Sequence, residues 1–227
     1  LRLRRNRKSS WSRRLVAENS LSSSDFILPI FIVEGKNKKE EIKSMPDVFR
    51  YSVDRINQIV DKAIKNEIPM IALFPKTQAS LKNNIGSEAL NDNNLVCKAI
   101  LEIKKRYKNK IGIMCDVALD PYTAHGHDGL IRGGEIINDE TIEVLINQSL
   151  LQAKMGCDVL APSDMMDGRI GKIRKALDKE GKPLGHMTGA EKKAFFGKVD
   201  KMHNAKNEEK EDVKEARYRV SGQMTYR

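Results

Sequence analysis

Between Cys115 and Gly129 the chain reads Cys115-Asp-Val-Ala-Leu-Asp-Pro-Tyr-Thr-Ala-His-Gly-His-Asp-Gly129. Three carboxylates (Asp116, Asp120, Asp128) and two imidazoles (His125, His127) therefore crowd into one short stretch. Carboxylates held close together raise one another's pKa values and can exchange protons near neutrality. Such a cluster suits acid/base work or a hard cation. The competing reading is a polar loop whose aspartates cap turns. A second group follows in Ala161-Pro-Ser-Asp-Met-Met-Asp-Gly-Arg169, which supplies Ser163, Asp164, Asp167 and Arg169. These side chains either face the same site or, in the case of Ser163 and Asp164, cap the helix that begins near Asp167.

Both clusters follow short apolar runs, and these runs recur. Phe26–Val33, Met70–Pro75, Ile111–Val117 and Asp158–Pro162 read as buried strands. Between them lie amphipathic stretches. Ser52 is expected to cap a helix reaching Glu67, a second helix carries Leu95, Ala99, Ile100 and Ile103, and a third runs from Asn138 or Asp139 to Gly156. A fourth spans Gly168 to Lys179. The segments 76–90 and 117–134 read as loops. Continuous apolar strands each followed by a helix predict a parallel sheet covered by helices, either an open doubly wound sheet or a closed (β/α)8 barrel. No Gly-rich turn follows the first strand, which counts against a dinucleotide-binding open sheet. Polar residues gather just after each strand, at Glu34, Lys76, Asp116 to Asp128 and Ser163 to Asp167, where a barrel keeps its chemistry.

The 227 residues carry a net charge of +10, and its location matters more than its size. Residues 1–14 hold seven Lys/Arg and no acid, the stretch from Gly181 onward holds an excess of four positive charges, and the remainder is close to neutral. No apolar run approaches the ~20 residues of a membrane helix, and no apolar core follows the basic N-terminus as a secretory leader would require. Cys97, Cys115 and Cys157 form no CxxC pair, which predicts reduced thiols and a cytoplasmic setting.

The sequence resembles the delta-aminolevulinic acid dehydratase (porphobilinogen synthase) family. The motifs that carry the likeness are Arg4-Arg5-Asn6 with Ser12-Arg-Arg-Leu15, Leu28-Pro-Ile-Phe31 with Glu34-Gly35, Ser44-Met-Pro46, and Ala72-Leu-Phe-Pro75. Two longer ones are Asp116 to Gly129 and Ala161 to Gly171. The resemblance runs to about residue 181 and implies a (β/α)8 TIM barrel. Only about its first four βα units would be present, a half-barrel over 26–181. An N-terminal oligomerisation arm (1–25) would precede it and a divergent charged tail (182–227), weakly helical or disordered, would follow. It also implies condensation of two 5-aminolevulinate molecules to porphobilinogen in haem and tetrapyrrole synthesis. The partners implied are that substrate and further copies of the chain gripped by the arm, with no nucleic acid and no membrane. Seven bare cations could hold phosphate. The resemblance assigns them to subunit packing instead.

Site residues follow from the same likeness. Asp116, Asp120, Asp128, Ser163 and Asp164 are the catalytic candidates. Where zinc-dependent members place three cysteines, this chain has Ala118, Asp120 and Asp128. Carboxylates suit magnesium or a monovalent ion and thiolates suit zinc, so no zinc is expected, the resemblance implies magnesium or a monovalent ion although the family's magnesium-binding glutamate has no counterpart here, and no organic cofactor is expected. The family reaction needs two lysines that form Schiff bases with substrate, which requires a neutral amine in an apolar pocket or beside another cation. The segment Met187-Thr-Gly-Ala-Glu-Lys192 makes Lys192 the candidate for the first, against a solvated lysine between Glu191 and Lys193. No counterpart to the second appears. Two readings result: a dehydratase present as an incomplete copy, or a catalytically inactive half-barrel that binds or oligomerises.

Overall fold

The computed structural model describes residues 4–180. After a short helix α1 (Ser10–Leu15), the chain enters β1 (Ile27–Val33), then β2 (Lys39–Glu41) and β3 (Phe49–Tyr51). Helix α2 (Asn57–Lys65) leads to β4 (Met70–Lys76), α3 (Leu95–Tyr107) to β5 (Gly112–Asp116), and a hairpin of β6 (Leu130–Arg132) and β7 (Glu135–Ile137) to α4 (Asn138–Met155). The last described elements are β8 (Val159–Ala161) and α5 (Arg169–Lys179).

The main sheet has the order β2-β3-β1-β4-β5-β8. The four apolar runs are its parallel centre: β1 pairs with β4 from Ile27–Met70 to Val33–Lys76, β4 with β5, and β5 with β8. Adjacent residues of a strand face opposite sides. One side carries Ile30, Ile32, Ile71, Leu73, Ile113, Cys115 and Leu160, all essentially inaccessible beneath the helices. They meet Val60 and Ala63 of α2, Ile100 and Ile103 of α3, Ile142 and Leu145 of α4, and Ile173 and Leu177 of α5 in a single core. The opposite side carries Phe31, Phe74 and Met114, which are half-buried, while Ala72 and Val159 are buried. Phe31 and Phe74 stack at a tilt with ring centroids 5.8 Å apart.

Several expectations need correction. The sheet has six strands, because Lys39-Glu-Glu41 and Phe49-Arg-Tyr51 add an antiparallel pair beside β1. Lys39-Glu-Glu41 is charged and outermost, which is how an edge strand reads, whereas Phe49-Arg-Tyr51 lies between β2 and β1 and is too short to show an apolar run. Ser52 stands at the N-cap position of a 3-10 turn over Val53–Arg55 that precedes α2, but its side chain makes no capping hydrogen bond. Its hydroxyl accepts from the Lys38 amide (2.8 Å) and binds β3 to the start of β2, and α2 opens five residues later. The loop reading of 117–134 missed β6, whose turn to β7 uses Gly133 and Gly134 at φ 60° and 87°, the left-handed pair that a tight hairpin demands. In α3 the Asn94 side chain accepts from the Cys97 amide (2.9 Å), and α4 ends on Gly156 at φ 108° as its sequence suggested.

Helix α1 holds to its own neighbourhood, with the Ser12 hydroxyl donating to the Asn6 carbonyl (2.7 Å). Trp11, Leu15 and Leu21 are 65%, 79% and 76% exposed, so the apolar part of this segment is not covered by the described residues. Among the described residues no helix is long and apolar enough to cross a membrane. The predicted tail, 182–227, lies outside the described residues.

Candidate active site

Asp116 is the last residue of β5 and sits opposite Ala161 of β8 in the ladder. That register brings Ser163, two residues beyond Ala161, beside it: the Ser163 hydroxyl donates to Asp116 Oδ1 at 2.5 Å. The two sequence clusters therefore meet because their strands are neighbours. Asp128 approaches from the intervening loop, its Oδ2 accepting from the Met165 amide at 3.2 Å. A cleft of ≈ 240 Å³ opens between the two loops, lined by Ala118, Asp120, His127, Asp128, Ser163 and Met165 among others. Asp120 also borders a second cleft of ≈ 350 Å³ over the half-open face of the sheet, with Asp116, Phe31, Phe74, Arg50 and Lys82. Anionic, cationic and aromatic side chains thus converge at the carboxyl ends of the parallel strands.

Burial is the main force on the carboxyls. It pushes Asp116 above the ordinary aspartate range, reinforced by Asp120 and Asp164 and opposed by the Ser163 hydrogen bond. Asp120 is raised by burial and by Asp128, with Lys82 and His127 pulling the other way. Raised carboxyls hold protons closer to neutrality, as acid/base work requires. His127 Nδ1 lies 2.9 Å from both the Gly129 amide and Asp128 Oδ1. One ring nitrogen serves one of them at a time: bare, it accepts from Gly129, and protonated, it donates to Asp128.

Asp164 behaves differently from the other candidates. Its residue is 1% exposed and lines neither cleft. Oδ1 accepts from the Met166 amide at 2.8 Å, and Oδ2 lies 3.0 Å from Arg169 Nε without hydrogen-bond alignment. The structure makes it the anchor of the turn before α5, although α5 itself has no side-chain cap. Two strand-end residues noted in the sequence are taken up in ion pairs, Glu34 with Lys98 (3.0 Å) and Lys76 with Glu40 (3.3 Å). Lys192 lies outside the described residues. Sequence reasoning passed over Phe31, Arg50 and Phe74. Their shared face is legible from the alternation of β1 and β4, but Arg50 belongs to the unrecognised β3.

The donor set at 116–128 contains no thiolate. Cys97, Cys115 and Cys157 are buried in the core. Burial pushes the Cys97 thiol up to about 12 and Cys115 well above its usual value, the latter helped by Cys157. Among the described residues no group of three or more His, Cys, Asp or Glu side chains is arranged to hold a metal ion. Asp120 and Asp128 are hard donors that match magnesium better than zinc.

The sequence model of the family described as delta-aminolevulinic acid dehydratase matches residues 1–189. The chain belongs to this dehydratase family. The dehydratase of Bradyrhizobium diazoefficiens is 56% identical over 181 residues, which make up 80% of this chain and 51% of that relative. The dehydratase of Ruminiclostridium josui is 41% identical over 182 residues, covering 79% of this chain and 86% of that protein. The crystal structure of the Toxoplasma gondii dehydratase, in complex with its reaction product porphobilinogen, superposes with a TM-score of 0.75 at 39% identity. It covers 80% of this chain and 51% of that one. The chain spans about half the length of the first dehydratases it matches. Lys192 lies beyond the family match, which ends at residue 189.

Proposed function

We propose that this chain carries the acid/base half of a porphobilinogen synthase site, acting on 5-aminolevulinate, and that 26–180 correspond to the first four βα units of an eightfold barrel. The observation that carries this reading is the meeting of Asp116 and Ser163 at the carboxyl end of adjacent parallel strands, in a fold shared with a product-bound dehydratase. The condensation must move several protons and expel water. Asp116, with its raised pKa, exchanges a proton through the Ser163 hydroxyl, while Asp120 and Asp128 face the substrate's ammonium group across the smaller cleft. Arg50 and Lys82 give the larger cleft the positive charge that suits a carboxylate. Schiff-base chemistry falls to lysines beyond residue 180, with Lys192 the candidate for the first.

The same reading extends to assembly and setting. The exposed Trp11, Leu15 and Leu21 find cover on a second copy of the chain, so the arm makes a homo-oligomer. The unpaired thiols fit the reducing cytoplasm. The site has no thiolates to call for zinc, magnesium is the metal the family resemblance implies, and no organic cofactor is needed.

The test is a graft: residues 1–180 of this chain followed by the part of the Bradyrhizobium diazoefficiens dehydratase beyond the matched segment. Incubated with 5-aminolevulinate, the graft should form porphobilinogen, read colorimetrically. Asp116→Asn should slow it on the order of 100-fold, the typical worth of a general acid/base. A folded graft that makes no product, or an Asp116→Asn variant of full activity, would overturn the proposal.

A further inference from the structure

Helix α4 buries two glutamines one turn apart. Gln148 and Gln152 are 1% and 2% exposed, on the face that also carries Leu145 and Ser149. Burying a primary amide is costly unless its donors find acceptors. Here the two Nε2 groups reach two main-chain carbonyls, Gln148 that of Ala118 at 3.2 Å and Gln152 that of Asp116 at 3.0 Å. Neither Oε1 has a partner among the described residues, where each side chain is held by its donor end.

The position of those carbonyls is informative. The β4–β5 register ends at Leu73–Cys115 and the β5–β8 register at Asp116–Ala161. One further ladder bond, from the Val117 amide to the Ala161 carbonyl at 3.1 Å, closes the sheet. Beyond it the chain continues through Leu119 into Asp120. The glutamines take over where the sheet's own hydrogen bonds stop. The same helix holds the second loop, because Asn138 Oδ1 accepts from the Asp167 amide at 2.8 Å and its Nδ2 donates to the Asp167 carbonyl at 3.3 Å. Helix α4 thus gauges the separation of the two loops that carry the site.

We propose that Gln148 and Gln152 are positioning residues: as a pair they fix the backbone of 116–120, and through it the spacing of Asp116 from Ser163 and of Asp120 from Asp128. Their role in the reaction rests on the function proposed above, whereas the clamp itself does not.

Gln148→Met, Gln152→Met and the double variant keep side-chain length and remove the amide. In the 227-residue chain, hydrogen exchange is followed at the Val117, Tyr122 and Thr123 amides, each bonded within or beside the clamped segment. The double variant should exchange there on the order of tenfold faster, with β1, β4 and α5 unchanged. In the graft, kcat should fall on the order of tenfold with KM held within about twofold, because geometry and not binding is lost. Unchanged exchange at those amides, faster exchange spread evenly over the whole sheet, or an unaltered kcat would overturn the proposal. A wild-type graft without porphobilinogen synthesis removes the catalytic role, and exchange still decides the clamp.

Discussion

Asp116 shows how one residue is set by its surroundings. The folded protein raises its pKa, chiefly by burial, so at pH values above the ordinary carboxylate range the native state still holds protons that the unfolded chain has released. Stability therefore falls as pH rises from about 4 through the raised value, and stays lower beyond it. Asp116→Asn keeps an acceptor for Ser163 and removes the charge. It should raise the thermal midpoint of the chain at pH 7, with the gain closing as the pH approaches 4. A midpoint lowered equally at both pH values would contradict this. Asp164 should respond in the opposite sense. Asp164→Ala leaves the Met166 amide without its acceptor and the Arg169 guanidinium with only its bond to the Met166 carbonyl, at a cost of about 2 kcal/mol in denaturant unfolding.

At the scale of elements, glycines test the backbone argument directly. Gly156 ends α4 at φ 108°, a conformation strained for any residue with a Cβ, although the added atom would make only ordinary contact with Lys104 Cγ at 3.4 Å. Gly156→Ala should cost about 1 kcal/mol. Gly171 lies inside α5, where an added methyl would meet nothing within 4 Å, so Gly171→Ala should gain on the order of 0.5 kcal/mol. Urea titration of both variants separates the two effects. The same physics decided what the sequence revealed. The strands found by reading were those buried on a helix-covered face, such as Ile71 and Leu73 of β4, where apolarity is compulsory. Strand β2 escaped because an edge strand need bury little and its charges read as loop, and β3 because its three residues, with Arg50 between Phe49 and the buried Tyr51, are too few to show an apolar run. The meeting of Asp116 with Ser163 was legible once two strand ends were taken as neighbours. The inward turn of Asp164 was not, because Asp164-Met-Met-Asp167 offers two acids and only tertiary packing chooses which one Arg169 meets.

At the scale of the whole fold, the described residues cover the central sheet on one face and leave it half-open on the other. The face bearing Phe31, Phe74 and Met114 is also the face that carries Asp116, so the half-buried apolar wall and the polar cluster coincide. The described residues bring together acids, a hydroxyl and cations. The charge layout agrees with division of labour, since the seven cations of residues 1–14 stand apart from a nearly neutral body. The most direct measurement is porphobilinogen formation from 5-aminolevulinate by the 227-residue chain beside the graft, under identical conditions. The account predicts no product above the uncatalysed background from the chain and steady synthesis by the graft. Synthesis by the chain at a rate matching the graft would contradict it, because the 227 residues would then hold a whole site and not half of one.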